Sequence, residues 1–311
     1  MANEKFGTDQ AFWWDAQGGS SWRQAGLVTG GGPADAPEIE ERFGINGEGL
    51  ASVGLQVGGG SVEFEPCGDG WDLIDRIVTP TAGVFGKLKF AFDTGHREHI
   101  HQNCYVSHIE LSVGAQSRLT CKFDWMYLAP RVTASPPADW DAAMSDPWVL
   151  EGFESGLTFG STNGYADGIW SAASGVDLAV TDFTLQVDYP VVYTFSISGR
   201  SGSGSPSEGK RVPRDLVHNN KQSVTVPALN MMVPPTINHE LDYPYRDIAL
   251  SFSGTTNDGT AKTVAFSVPG MMWNGGPSEE FQPNDTDVAI WSCGLRWSNK
   301  KSSPLTYTVT T

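Results

Sequence analysis

Apolar and polar residues alternate with period two through Val106-Ser-His-Ile-Glu-Leu-Ser-Val113 and Leu119-Thr-Cys-Lys-Phe-Asp-Trp125, which predicts two strands. Gly114-Ala-Gln-Ser between them supplies a turn. The pair reads as a hairpin with an inner face of Ile109, Leu111, Val113, Leu119, Cys121 and Phe123. Lys87-Leu-Lys-Phe-Ala-Phe-Asp93 keeps the same period. So does Ser61-Val-Glu-Phe-Glu-Pro66, which puts Val62 and Phe64 inside and Glu63 and Glu65 toward solvent before it breaks at Pro66. Glu41-Arg-Phe-Gly-Ile and Leu50-Ala-Ser-Val-Gly-Leu-Gln-Val flank Asn46-Gly47, a dipeptide suited to positive φ at both central turn positions, so a second hairpin is expected there. The period changes at Gly70-Trp-Asp-Leu-Ile-Asp-Arg-Ile-Val78. Trp71, Ile74 and Ile77 or Val78 share one side, and Asp72 and Asp75 sit near the start, as in a short helix that stops before Pro80.

The second half uses the same vocabulary. Val180-Thr-Asp-Phe-Thr-Leu-Gln-Val187 and Val191-Val-Tyr-Thr-Phe-Ser-Ile197 predict a hairpin, followed by a solvated Gly/Ser loop from Gly199 to Gly209. Further strands are expected at Ser223-Val-Thr-Val, Ile248-Ala-Leu-Ser-Phe, Thr263-Val-Ala-Phe-Ser-Val and Leu305-Thr-Tyr-Thr-Val309, with a broken helix between Ile237 and Tyr245. Ser61-Val-Glu-Phe lies on Ser223-Val-Thr-Val, and Lys87-Leu-Lys-Phe-Ala-Phe near Ile248-Ala-Leu-Ser-Phe, at almost one offset; this suggests a duplicated strand, helical turn, strand order. A competing match of Val106–Val113 on Val180–Val187 at another offset leaves the duplication open. Pro130, Pro136, Pro137 and Pro147 mark a linker. The organisation read from the chain is an N-terminal arm at 1–35, a β domain at 36–130, a Pro-rich linker at 131–150 and a second β domain at 151–311. The arm mixes Phe12, Trp13, Trp14 and Trp22 with glycine runs and has no sustained period, as in a segment that orders against a partner such as a neighbouring copy.

Composition sharpens the class. With 311 residues the chain can hold two cores, and 36 glycines, 19 prolines and only 18% charged residues suit short strands and tight turns more than long helices. The net charge of -16 argues against a groove that grips phosphates and fits a surface past which DNA slides without sticking. Met1 to Asp9 carries charge and lacks the apolar run of a secretory leader, and no stretch approaches a membrane span, so a water-soluble protein without membrane association is expected. Cys67, Cys104, Cys121 and Cys293 have no paired spacing and read as buried thiols.

Candidate chemistry is sparse. His96-Arg-Glu-His-Ile-His101 with Cys104 and His108 is the sharpest metal candidate, but in a strand His99 and His101 would share a face from which Cys104 points away; a polar loop before Val106 is the plainer reading. Gly202-Ser-Gly-Ser-Pro lacks the strand-to-helix turn of a nucleophile elbow. Glu38, Glu40 and Glu41, or Glu63 and Glu65, could pair as glycosidase acids, yet they fit a solvated face. Gly58-Gly-Gly-Ser lacks the lysine of a phosphate cradle and reads as a turn. No catalytic, cofactor or metal residue is assigned, and no enzyme is expected. The eleven tryptophans suit a core, an interface, or stacking on sugar rings. Arg200, Lys210, Arg211 and Arg214 flank the Gly/Ser loop and could dock on an acidic neighbour; with Trp13 and Trp14 they are the candidate inter-subunit contacts.

Where Arg211-Val-Pro-Arg-Asp-Leu-Val-His-Asn-Asn-Lys-Gln-Ser-Val-Thr-Val226 follows Val180-Thr-Asp-Phe-Thr-Leu-Gln-Val, the chain resembles the tail tube proteins (major tail proteins) of long-tailed bacteriophages. The hairpin from Cys104 to Phe123 is similar to that family's amphipathic strand, turn and return strand, and the likeness covers about two thirds of the chain in the order of elements. The resemblance implies a mainly β fold of two tail-tube-type β-sandwich or barrel domains, each with at most a short flanking helix. It implies homo-oligomeric rings, trimeric or hexameric, stacked into a tube in the virion and assembled in the bacterial host cytoplasm. It further implies other phage tail proteins as partners, DNA passing transiently through the lumen without sequence-specific binding, and no cofactor or catalysis. A carbohydrate-binding β-sandwich of a phage adsorption module is the alternative, and a jelly-roll hydrolase a further one.

Overall fold

A 17-residue strand, β8 (Glu98–Gly114), organises the first half of the chain, and its neighbours follow from where its alternation is interrupted. The computed structural model describes residues 11–16, 19–34, 37–43, 49–56, 58–78, 88–93, 98–114, 117–127, 137–138, 155–160, 179–195, 213, 215–218, 223–232, 246–255, 261–273, 278–280, 290–297 and 306–310. Along one edge β8 pairs with β9 (Thr120–Tyr127), the return strand expected from the sequence. Its other edge is shared between β7 (Leu88–Asp93) and β11 (Ala179–Asp188). Two irregularities keep β8 facing the core over this length. Leu88 pairs with Cys104 while Phe90 pairs with His101, and Val106 pairs with Trp125 while His108 pairs with Asp124. Each inserts one residue and reverses the parity, so His101, Cys104, Val106, Ile109 and Leu111 are all buried. Asn103, at φ 54°, is the left-handed residue of the first bulge.

β1 (Ala11–Ala16) pairs with β7 and with β2 (Arg23–Gln24); β3 (Gly26–Ala34) pairs with β6 (Gly58–Pro66), and β6 with β9. The segment expected as an arm therefore supplies strands of the sheet itself, and Phe12 and Trp14 are each 1% exposed. Gly58 and Gly60, expected in a turn, open β6 instead. A Cβ on either would fall 2.2 Å from the ring of Tyr127 or Trp125, so glycine makes room for those aromatics. The expected hairpin around Asn46-Gly47 is formed by β4 (Pro37–Phe43) and β5 (Gly49–Gln56), with the turn outside the described residues.

The helix α1 (Gly70–Val78) matches its expected span and buries Trp71, Leu73, Ile74, Ile77 and Val78. Asp72 lies in its first turn and Arg76 in its last, each complementing the nearby end of the helix dipole. Gly70 is packed so closely on Ala25 that a Cβ would lie 1.7 Å from the Ala25 carbonyl oxygen. At the other end the Tyr189 hydroxyl donates to the Ile77 carbonyl, one of the orphan acceptors of the last turn.

Beyond residue 150 the described strands are β10 (Ser155–Gly160), β11, β12 (Val191–Thr194), β13 (Asp215–His218), β14 (Ser223–Met232), β15 (Arg246–Thr255), β16 (Ala261–Trp273), β17 (Ser278–Glu280), β18 (Ile290–Trp297) and β19 (Thr306–Thr310). The described structure is mainly β, and its largest sheet runs β10-β15-β16-β18-β14-β11-β8-β7-β1-β2. The sheet thus crosses the boundary expected at 131–150, and Phe183, Leu185, Val187, Tyr189, Val224 and Val226 belong to the same core cluster as Val62, Phe64 and Trp71. The linker itself, apart from Pro137 and Ala138, lies outside the described residues, as does the expected broken helix from Ile237 to Tyr245. The expected pairing of 180–187 with 191–197 does not form: both edges of β11 are taken, by β8 and β14, and β12 pairs with β13. No helix of the described residues is long and apolar enough to cross a membrane.

The strand pairings repeat. In the first half the order of neighbours is β1-β7-β8-β9-β6-β3; in the second it is β10-β15-β16-β18-β14-β11, with β17 continuing beside β18. A separate hairpin is inserted at the same place in each, β4–β5 between β3 and β6, and β12–β13 between β11 and β14. Two irregularities recur at equivalent positions. The break between Leu88/Cys104 and Phe90/His101 is matched by Arg246/Met271 and Ile248/Val268, which sets Pro269-Gly270 in the place of Gln102-Asn103. The break between Val28/Phe64 and Gly30/Glu63 is matched by Val180/Met231 and Asp182/Asn230. The register differs from the sequence match by several residues: Leu88 corresponds to Arg246, and Phe64 to Met231.

Candidate functional site

The histidine cluster resolves into structural roles. His101 is 2% exposed; the Trp125 indole N–H donates to its Nδ1 at 3.0 Å, and its ring stacks on Tyr127 at 4.0 Å. An indole nitrogen can only donate, so Nδ1 is the unprotonated nitrogen of His101 and its lone pair is already engaged. The bulge at Asn103 turns Cys104 to the core side together with His101, contrary to simple alternation, and residues 98–105 are strand where a polar loop was the plainer reading. His108 lies on the opposite face, with Nδ1 2.7 Å from Asp188. Among the described residues no group of three His, Cys, Asp or Glu side chains is placed to hold a metal ion. His96 lies outside them.

Cys67, Cys104 and Cys121 are buried thiols outside any disulfide. Burial pushes the Cys121 thiol well above its ordinary value, and the nearby Glu110 carboxylate adds to the effect. Cys104 and Cys121 should therefore resist iodoacetamide in the folded protein and react once it is unfolded in guanidinium, as read by mass spectrometry; fast labelling of either in the native state would refute their burial. The sign for stability follows. With the folded pKa raised, the Cys121 contribution is complete below the unfolded value near 8.5 and is lost as pH rises toward the folded value, by about 1.4 kcal/mol per pH unit.

Of the candidate inter-subunit residues, Trp13 and Trp14 are buried inside the chain itself, at 7% and 1% exposure, because β1 is covered on both faces and paired on both edges. Arg23 and Arg76 lie over the Trp14 ring at 5.4 Å and 5.7 Å. Trp71 and Trp125 are buried as well. Arg200, Lys210, Arg211 and Arg214 lie outside the described residues, but the roots of their loop are fixed, since Thr194 pairs with Asp215 at the end of the β12–β13 hairpin. Glu63 is exposed as expected, while Glu65 is half-buried and accepts from Arg118 at 3.0 Å.

The β12–β13 hairpin presents the surface the sequence reading missed. Its inner face is anchored: Leu216 is buried, and the Tyr193 hydroxyl bonds the Gly58 carbonyl and lies 3.1 Å from the Tyr127 carbonyl oxygen. Its outer face carries Val192, 60% exposed, opposite Val217, 51% exposed, with Phe195 at its end. The alternation of Val192 and Val217 with the inward Tyr193 and Leu216 was available as a signal, but it requires knowing that β12 pairs with β13 across the long loop.

A second feature is the seam where the two repeats meet. On one face of β8 and β11, His108 meets Asp188, Glu110 meets Gln186, and Ser112 meets Thr184; on the other, Ile109, Leu111 and Val113 lie opposite Val187, Leu185 and Phe183. Polar pairs on one side and apolar pairs on the other fix a single register, since a slip of one residue would exchange them. At the far end of the first repeat β3 carries no such partner: among the described residues it pairs with β6 alone, and Leu27 is 44% exposed.

No family model matches the chain, and no curated protein matches it.

Proposed function

We propose that this chain is a structural subunit of a bacteriophage tail tube, self-assembling into stacked rings around a channel through which DNA passes. The observation that carries this reading is the repeat of one six-strand unit, joined edge to edge within the chain through β8 and β11, with the outer edge of β3 unpaired among the described residues. A module that already adds to its own kind by strand pairing can continue the addition between chains. Closing the series into a ring hides edges that would otherwise promote uncontrolled association. The exposed apolar face of the β12–β13 hairpin, with the basic loop it carries, is suited to contacts between stacked rings. The charge of -16 suits a conduit that repels phosphate. In this reading each repeat is a tail-tube-type β domain, the ring contains three or six chains, other tail proteins start and stop the tube, no catalysis or cofactor is involved, and the protein resides in the virion.

The test is negative-stain electron microscopy of the purified chain over rising concentration, after size-exclusion chromatography. Rings or hollow tubes are expected. A monomer persisting at every concentration would overturn the reading and favour the sugar-binding alternative.

A further inference from the structure

The repeat places the two halves of a second β8–β11 seam on the same chain, each without a strand partner on that edge among the described residues. In the first repeat, Glu110 to Ser112 of β8 pair with β9 on one edge and with Thr184 to Gln186 of β11 on the other. In the second repeat the corresponding segment is β17, which pairs with β18 as Glu280 with Ile290, just as Ser112 pairs with Thr120. Among the described residues nothing pairs with the other edge of β17, and nothing with the outer edge of β3, the counterpart of β11.

We infer that β3 of one chain pairs antiparallel with β17 of a second copy, repeating between chains the seam that β11 and β8 make within one. The shared bulge sets the register. Gly30 corresponds to Asp182, so Gly32 stands where Thr184 does and Ala34 where Gln186 does. Gly32 then lies opposite Glu280, Pro33 opposite Glu279 and Ala34 opposite Ser278.

The glycines of β3 support a close neighbour. Gly31 is required by its own chain, with φ at 97° and a Cβ that would meet the Ser61 carbonyl at 2.3 Å. Gly32 is not: a Cβ there meets nothing within 4 Å, and at Gly30 the nearest atom is 3.8 Å away. Nothing within the chain fills the space beside Gly32, so these positions are compatible with a neighbouring strand. Pro33 contributes no donor, so the junction relies there on its carbonyl and on the residues beside it. Uncharged β3 meets Ser278-Glu-Glu280 without like-charge repulsion. The inference rests on the tube-subunit reading for the identity of its partner, and on the repeat for its edges.

The test is a disulfide between copies. Ala34→Cys and Ser278→Cys are introduced together and singly into the full chain and oxidised with copper phenanthroline, and products are separated under denaturing, non-reducing conditions. Directly opposed strand residues lie within disulfide reach, so a ladder of covalent oligomers is expected from the double variant and is absent from either single one. Assembly seen by electron microscopy without a ladder overturns this junction and leaves the tube reading standing; no ladder and no assembly at any concentration overturns both.

Discussion

Replacing Phe12 with alanine is expected to lower the folding free energy by about 3–5 kcal/mol, the range for truncating a buried aromatic ring in a closed core. Phe12 is 1% exposed, and its ring centroid lies 4.7 Å from that of Phe92, 5.3 Å from Phe90, 5.7 Å from Phe123 and 6.3 Å from both Phe64 and Trp125. Those rings come from β6, β7 and β9, so one side chain from the N-terminal segment holds three strands of the sheet. Truncation removes the shared contact of all of them and leaves a space that rigid aromatic neighbours cannot close. Phe12→Leu should lose substantially less, because it retains most of the volume. Guanidinium unfolding followed by tryptophan fluorescence measures both. A Phe12→Ala variant within about 0.5 kcal/mol of the parent would mean that the first strand is a detachable arm, as its sequence suggests.

The reason that segment misleads is physical. Phe12, Trp13, Trp14 and Asp15 are all buried, so β1 shows no alternation, and a strand covered on both faces lacks the period-two signal. The hairpin of β8 and β9 and the burial of Val62 and Phe64 were legible because one face of each is wet. The helix was legible because Trp71, Ile74, Ile77 and Val78 repeat at helical spacing. β3, with four glycines and a proline, is a strand by pairing alone; its residues argue locally for a turn. The duplication was visible in outline and out of register, since short amphipathic strands resemble one another at many offsets, whereas paired bulges identify equivalent positions uniquely. The candidate assembly surface was the least legible part. An open edge is a property of what does not pair, and neither β3 nor β17 could be recognised as an edge until its neighbours among the described residues were placed. The bulge at Asn103 likewise reversed the predicted sides of His101 and Cys104, because parity counted along a strand fails after an inserted residue.

Lys89 and Asp15 should show the second large effect. They are directly opposed in the β1–β7 ladder, with side chains 7% and 9% exposed and Lys89 Nζ 3.0 Å from Asp15 Oδ2. The ammonium also donates to the Gly19 carbonyl at 2.8 Å and lies 4.7 Å from the centroid of the Trp22 ring, while the other Asp15 oxygen accepts from the Ala16 amide at 2.7 Å. Lys89→Met keeps the stem and removes the charge, stranding a buried carboxylate, and is expected to cost about 3–5 kcal/mol. Asp15→Asn combined with Lys89→Met should recover most of that loss, because a pair of neutral side chains carries no uncompensated charge. A coupling below about 0.5 kcal/mol in the double-mutant cycle would show that the two charges act independently and would defeat the prediction. The consequence extends to assembly. The pair ties Gly19 and Trp22 to the sheet a few residues before β3 begins at Gly26, so loosening it frees the entry to the strand proposed to join the next copy. Lys89→Met should therefore shift ring or tube formation to higher protein concentration even under conditions where the chain remains folded, and the double variant, which lacks the ammonium as well, should not restore it.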